Sequence, residues 1–158
     1  LFMTTLIDRS LLDSLSAEAE LAPRLRKHRN FHPGDTYPAH RLLVAIEPGS
    51  YVAPHRHLDP NKDETLLVVR GRLGVVIFGA ENAVDRSIVL QAGGEAIGID
   101  IPHGVFHTVV ALEAGTVFFE AKAGPYVPIA ETERAPWAPV EGAPAAVDYL
   151  AGLRMLFP

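Results

Sequence analysis

Three observations predict an all-β fold for this chain, an antiparallel sandwich or barrel. Between residues 24 and 123, short apolar runs rich in Val, Ile, Leu and Phe alternate with Gly, Pro and Asn turn signals. No helical interlude separates those runs, which argues against a parallel sheet with crossover helices. Helical periodicity is confined to the two ends of the chain.

The first zone, residues 1–23, reads as a helix. In "SLLDSLSAEAEL" Ser10 and Asp13 fit a capping box with Asp in place of Glu. Ile7, Leu11 and Leu15 recur at i, i+4 and i+8, Leu12 widens that face, and Pro23 stops the pattern. The second zone, residues 24–123, holds the strands. "RLRKHR" (Arg24 to Arg29) reads as a solvated strand or arm. "HRLLVAIEPGS" is an apolar run stopped by Pro-Gly. "ETLLVVRGRLGVVIFGAEN" is two runs around Gly71, "AVDRSIVLQAGGEAIGIDIP" a pair around Ala-Gly-Gly, and "HTVVALEAGTVFFEAK" a last pair around Glu-Ala-Gly. Gly74 and Gly98, inside runs, suggest bends or bulges. The third zone, residues 124–158, is Pro-rich. "GPYVPIAETERAPWAPVEGAP" is expected to drape over the barrel as extended chain, with Trp137 covering an apolar patch. "AAVDYLAGLRMLF" then predicts a short closing helix burying Val147, Leu150, Leu153 and Phe157.

The chain of 158 residues fits one domain with a sizeable core. Its 48% hydrophobic and 21% charged composition is that of an ordinary globular protein. A net charge of −5, from 14 basic against 19 acidic residues, argues against nucleic acid as the partner. The absence of cysteine excludes disulfides, thiolate metal sites and cysteine nucleophiles. No apolar run has the roughly 20 residues of a membrane helix. "LFMTTLIDRS" lacks the charged start and apolar core of a signal peptide, so cytoplasmic residence is expected, with Met3 as the natural start.

The densest polar cluster is "PHRHLDPNKDE". In extended chain, residues i and i+2 point to one side, so His55 and His57 aim into one volume. A hairpin through residues 58–63 would return Glu64 beside them. Two imidazoles and a carboxylate suit a divalent metal, an acid–base site or a chance polar cluster. "IPHGVFHTVV" adds a turn at Pro102 and Gly104. His107 follows at the entry to an apolar run, either as a further ligand or as a hydrogen-bonded core histidine.

These residues resemble the two motifs of the cupins, G-x5-H-x-H-x3or4-E-x6-G and G-x5-P-x-G-x2-H-x3-N. Gly49, His55, His57, Glu64 and Gly71 match the first, and Pro102, Gly104 and His107 match the second. Six residues instead of three or four separate His57 from Glu64. Ala96 stands where the second motif has its glycine, and Ala111 where it has its asparagine. The segments "RKHRNFH", "RLLVAIEPGSYVAPHRH", "FFEAKAGPYVP" and "APWAPVEG" are similar to the WbuC family of cupin-fold metalloproteins, along most of the chain. The resemblance implies a single-domain double-stranded β-helix, or jelly roll. It also implies metal ligation by His55, His57, Glu64 and His107, and an association with bacterial O-antigen gene clusters.

Such a set, free of sulfur, suits one Fe, Mn, Ni, Co or Zn ion and leaves one or two positions open for a small molecule. Lys62 can reach an anionic ligand from the turn. Phe118, Glu120 and Lys122 share one face of the last strand, where Glu120 either faces outward or enters the pocket; Tyr126 can supply a hydroxyl there. Arg56 should point away, and His28, His32, His40 and His103 are expected as surface or hydrogen-bonded histidines. Three functions fit: a metal-dependent enzyme on a small molecule such as a sugar or sugar nucleotide, a non-catalytic metal-dependent binding or sensing module, and a metal-free epimerase-like site. The 24–32 arm suggests a homodimer formed through a swapped or pairing strand.

Overall fold

Each turn signal between residues 64 and 123 separates two strands in the computed structural model, which describes residues 3–158. Leu1 and Phe2, part of the N-terminal helical zone, lie outside the described residues. The elements run α1 (Arg9–Leu21), β1 (Arg26–Asn30), β2 (Ala39–Ile46), β3 (Glu64–Arg70), β4 (Arg72–Phe78), β5 (Val84–Gln91), β6 (Gly98–Ile101), β7 (His107–Ala111), β8 (Thr116–Ala123) and α2 (Ala145–Arg154). The strands form two sheets, β1-β2-β8-β3-β6 and β5-β4-β7, with every pairing antiparallel. This is the expected jelly roll, in which two sheets bury their inner faces against each other.

Strand parity explains the composition of β2. Leu42, Val44 and Ile46 face the inter-sheet core with Leu66, Val75 and Phe118. Leu43 and Ala45 face the other way, and α1 covers them with Leu15 and Ala19. A strand buried on both faces reads as a continuous apolar run, as "LLVAI" does. On the opposite sheet, Val76 and Phe78 of β4 and Val110 of β7 are covered by Leu150 and Leu153 of α2. Trp137 packs edge-on against Phe78 and Phe106, at ring-centroid distances of 5.6 and 4.9 Å, as the covering role requires.

Several local readings change. The helix is capped by Asp8, whose carboxylate accepts from the Leu11 amide at 2.9 Å, and Ser10 lies within the helix. Asp8 is one turn position better placed, so the capping box at Ser10 does not form. Replacing Asp8 by Ala should cost about 1 kcal/mol, read as a shift in the denaturation midpoint at constant slope. Ile7 is half exposed because it precedes the helix. In α2, Val147 is exposed and Ala146 takes its place in the packed face. Neither Gly74 nor Gly98 marks a bulge; the irregularities fall at Val68/Arg70 and Ile77/Phe78. These glycines instead leave room. A Cβ on Gly74 would meet the Phe157 ring at 2.6 Å, and one on Gly98 the Leu66 carbonyl oxygen at 2.4 Å.

β1 pairs with β2 of its own chain and is solvated over most of its length, as the basic run suggested. Arg26 is the exception. Its guanidinium takes the Glu141 carboxylate through two contacts of 2.7 Å and so ties the C-terminal extension to the barrel. Burial works against ionisation of Glu141, but the Arg26 hydrogen bonds and the charges of Arg26 and Arg24 outweigh it and hold its pKa below the ordinary 4.5. A lowered carboxylate pKa contributes stability above the unfolded value, and that contribution is lost as pH falls through the folded value. Glu141→Gln should therefore cost roughly 0.5–1 kcal/mol at pH 7, and the two proteins should converge in acid below pH 4 or so. Urea titrations at several pH values read this directly. A difference that persists at low pH would assign the loss to packing.

Candidate metal centre

The segment carrying His55 and His57 belongs to neither sheet, although it is extended. A single bridge stitches it to β7: the His55 amide donates to the His107 carbonyl at 3.0 Å and the His107 amide returns to the His55 carbonyl at 2.9 Å. On its other side the C-terminal extension holds it. The Arg56 amide donates to the Glu133 carbonyl at 2.9 Å, and the Ala135 amide to the Pro54 carbonyl at 3.0 Å. Gly104, at φ +81°, turns its amide onto the His57 carbonyl at 2.6 Å, a backbone conformation that side chains rarely allow. The His-x-His geometry thus comes from local extension and two flanking clamps rather than from membership of a strand. Nothing in the sequence signals that the Pro-rich tail is one of those clamps.

Glu64 is the first residue of β3, as expected, and the six-residue turn brings its carboxylate to 2.9 Å from His57 Nε2 and 3.9 Å from His107 Nε2. An Asp59 turn closes the excursion: its carboxylate accepts from the Asn61 amide at 2.9 Å, and its carbonyl from the Lys62 amide at 3.0 Å. The extra residues therefore fold over the pocket edge and leave Glu64 in place. One donor atom from each of His55, His57, Glu64 and His107 lies within 4.8 Å of the others. Ligands at about 2.0–2.2 Å from one ion sit roughly 3–4 Å apart, so little contraction is needed.

The donors are also chemically prepared. His55 Nδ1 donates to the Ala53 carbonyl and His107 Nδ1 to the Val105 carbonyl, both at 3.0 Å. A carbonyl only accepts, so each Nδ1 carries the proton and each Nε2 keeps its lone pair. His107 Nε2 is buried and has no hydrogen-bond partner. A buried polar atom without a partner is costly, and a metal ion would satisfy it. Burial and the neighbouring His107 push His55 down to about 4, and burial lowers His107 as well, so both rings are neutral, the ligating form. Burial resists the charge on Glu64, but the His57 hydrogen bond and the charge of Lys122 hold its pKa well below the ordinary range. Three imidazoles and one carboxylate fit a divalent transition metal.

A cavity of about 280 Å³ opens from these four residues. Glu120 lies in its wall, not outside: on β8 it shares the inward face with Phe118 and Lys122. Two carboxylates and the ammonium make that tolerable, since Lys122 Nζ donates to Glu120 at 3.0 Å and to Glu64 at 3.3 Å. Burial and the charge of Glu64 raise the Glu120 pKa. Burial opposes the Lys122 charge, but Glu120 and Glu64 outweigh it and raise its pKa. Lys122, like Glu120, lies outside both motifs and is marked in the sequence only by strand parity.

Lys62, expected to reach a ligand from the turn, is buried there, and its ammonium donates to the Pro125 carbonyl. Its side chain still lines the cavity, and Tyr126, 61% exposed, stands at the rim. Arg56 points away and covers the Phe106 ring at 4.4 Å. His103 is exposed and bonded to Asp63 at 2.8 Å, and His32 and His40 stack on each other at 3.9 Å. His28 lines the cavity but stands outside the four-residue cluster.

Fold and site together define a cupin-fold barrel that carries a three-histidine, one-glutamate group able to hold a metal ion. Residues 7–90 match the family described as "Domain of unknown function (DUF6016)", and the chain belongs to that family. The matched stretch contains His55, His57 and Glu64 and ends ahead of His107. No curated protein matches the chain. Among solved structures it is similar to KdgF from Halomonas sp., with a TM-score of 0.52 and 20% identity over 66% of this chain and 83% of that one. It is also similar to the conserved SPY1581 protein of unknown function from Streptococcus pyogenes, with a TM-score of 0.53 and 12% identity over 80% and 93% of the two chains. A cupin-2 domain containing protein from Shewanella frigidimarina aligns at a TM-score of 0.47 and 25% identity over 61% and 79%. Among the described residues no helix is long and apolar enough to cross a membrane.

Proposed function

We propose that this chain is a metal-dependent enzyme acting on a small molecule, with one divalent ion held by His55, His57, Glu64 and His107. The observation that carries the proposal is the buried, unpartnered His107 Nε2 aimed into a cluster of three further donors. Bound there, an Fe, Mn, Ni, Co or Zn ion supplies Lewis acidity to an oxygen of the substrate. The protein's own contribution is orientation. The Ala53 and Val105 carbonyls hold the imidazole tautomers, and Lys62, Glu120 and Tyr126 face or rim the cavity where the substrate would bind. The WbuC resemblance, with its surface-polysaccharide setting, suggests a sugar or sugar nucleotide as substrate, and the cytoplasm is the compartment expected from the sequence. The 24–32 arm presents β1 as an edge strand, and a homodimer joined there is part of the same proposal. So is the division into an N-terminal segment (1–23), a barrel (24–123) and a C-terminal extension (124–158) that folds with it.

Elemental analysis of the purified protein tests the metal. About one equivalent per chain supports the proposal, and under roughly a tenth, with no uptake from added metals, removes it. A second reading, a non-catalytic binding or sensing module, is favoured by the engagement of the nearest acid–base groups, since Glu120 is tied to Lys122 and Lys62 to a carbonyl. Saturable ligand binding with no product on long incubation would select it. Light scattering that shows a monomer at micromolar concentration would remove the dimer.

A further inference from the structure

We propose that the cavity takes a small organic acid with an oxygen on the carbon next to its carboxylate, the carboxylate lying between the metal ion and the Lys122 ammonium. The inference rests on the reading that the four residues hold a metal. Lys122 Nζ lies 3.3 Å from both His57 Nε2 and Glu64 Oε2, two of the four donor atoms. An ion bonded to those atoms at about 2.0–2.2 Å would stand within roughly 5.5 Å of the ammonium. Two cations so close, among side chains that are mostly buried, repel strongly. Glu64 can no longer serve both, because the ion takes its charge. Glu120 alone remains on Lys122, at 3.0 Å.

The rest of the cavity adds to the excess of positive charge. Arg24, Arg26, Lys62 and Lys122 line it against only Glu64 and Glu120, in a chain whose net charge is −5. Arg24 and Arg26 are already held by Glu141, at 3.4 and 2.7 Å, and Lys62 by the Pro125 carbonyl. Lys122 is therefore the cation whose partners change when a metal enters. A ligand carboxylate on the open side of the ion places a negative charge between the two cations. Its neighbouring oxygen fills the second position that four protein ligands leave on a six-coordinate ion. Lys122 then donates to the carboxylate while Glu120 holds it from behind. A cavity of about 280 Å³, near the small end of ligand pockets, suits an acid of a few carbons. Metal and acid must then strengthen each other's binding, because each relieves a repulsion the other would face.

The test is a Co(II) titration of the wild-type protein, followed by the visible spectrum. It is run alone and with millimolar lactate, its neutral amide lactamide, or inorganic phosphate. Lactate should tighten Co(II) binding about tenfold and alter the spectrum, lactamide should do neither, and phosphate should fall well short of lactate. Lys122→Met should bind Co(II) without acid at least as tightly as wild type and lose most of the lactate effect, while Lys122→Arg should keep it. Melting curves establish that both variants fold. If Lys122→Met does not, the wild-type series and Lys122→Arg decide. Equal tightening by lactamide, phosphate matching lactate, or a lactate effect that survives Lys122→Met overturns the inference. Co(II) binding without any lactate effect overturns it alone and leaves the metal reading intact, whereas no Co(II) binding overturns both.

Discussion

Saturating the wild-type chain with its divalent metal should raise the melting temperature by roughly 8–16 °C, and His107→Ala should abolish the rise. A ligand that binds only the folded state stabilises it by RT ln(1 + [L]/Kd), about 4 kcal/mol at a thousandfold excess over Kd. In a chain of this length each kcal/mol moves the midpoint by about 2–4 °C. His107 is the residue of choice because its Nε2 has no other partner, so the alanine variant also removes a buried unsatisfied atom. The apo variant should therefore lose little stability from hydrogen bonding at Nε2, and the difference between the two proteins should grow as metal is added. Scanning calorimetry with and without a chelator checks it. A metal-dependent rise that survives in His107→Ala would remove this histidine from the site.

Leu66→Ala should lower stability by about 2–5 kcal/mol, a large loss from a substitution outside the metal group. Leu66 is 1% exposed and lies two residues from Glu64 on the same inward face of β3, within the core between the sheets. Truncation leaves a cavity between two sheets held by antiparallel ladders on both sides, so the surroundings can close it only in part. The metal stoichiometry should nevertheless hold. The position of Glu64 is set by the β3 register against Ile101 and Lys122, which the side chain of Leu66 does not determine. Urea denaturation together with elemental analysis separates the two effects. Loss of metal with unchanged stability would mean that Leu66 shapes the site rather than the core.

The β-architecture was legible because its signals are local. Apolar runs and turn residues act over a few positions, and the runs around Gly71, around the Ala-Gly-Gly turn and around Glu-Ala-Gly each became two successive strands, one in each sheet. His55, His57 and Glu64 were legible for a related reason, since a short turn decides their proximity. The errors were local competitions. Asp8 displaced Ser10 as helix cap, and Ala146 displaced Val147 in the packed face of α2. Gly98 looked like a bend, but it is a contact: the Leu66 carbonyl occupies the space a side chain would need.

From the sequence alone came the donor types, the absence of sulfur and the alternation that turns Phe118, Glu120 and Lys122 to one side. Those properties belong to residue identity and to backbone periodicity, which need no partner. Which side that was, only the tertiary structure decided. The register of β8 between β2 and β3 places Lys122 opposite Glu64 and turns Glu120 into the cavity. The same holds for the bridge that sets His55 against His107, for the tail that clamps the His-x-His segment, and for the carbonyl that draws Lys62 out of solvent. Each depends on contacts between residues far apart in the chain, and such contacts leave no periodic trace in the sequence that makes them.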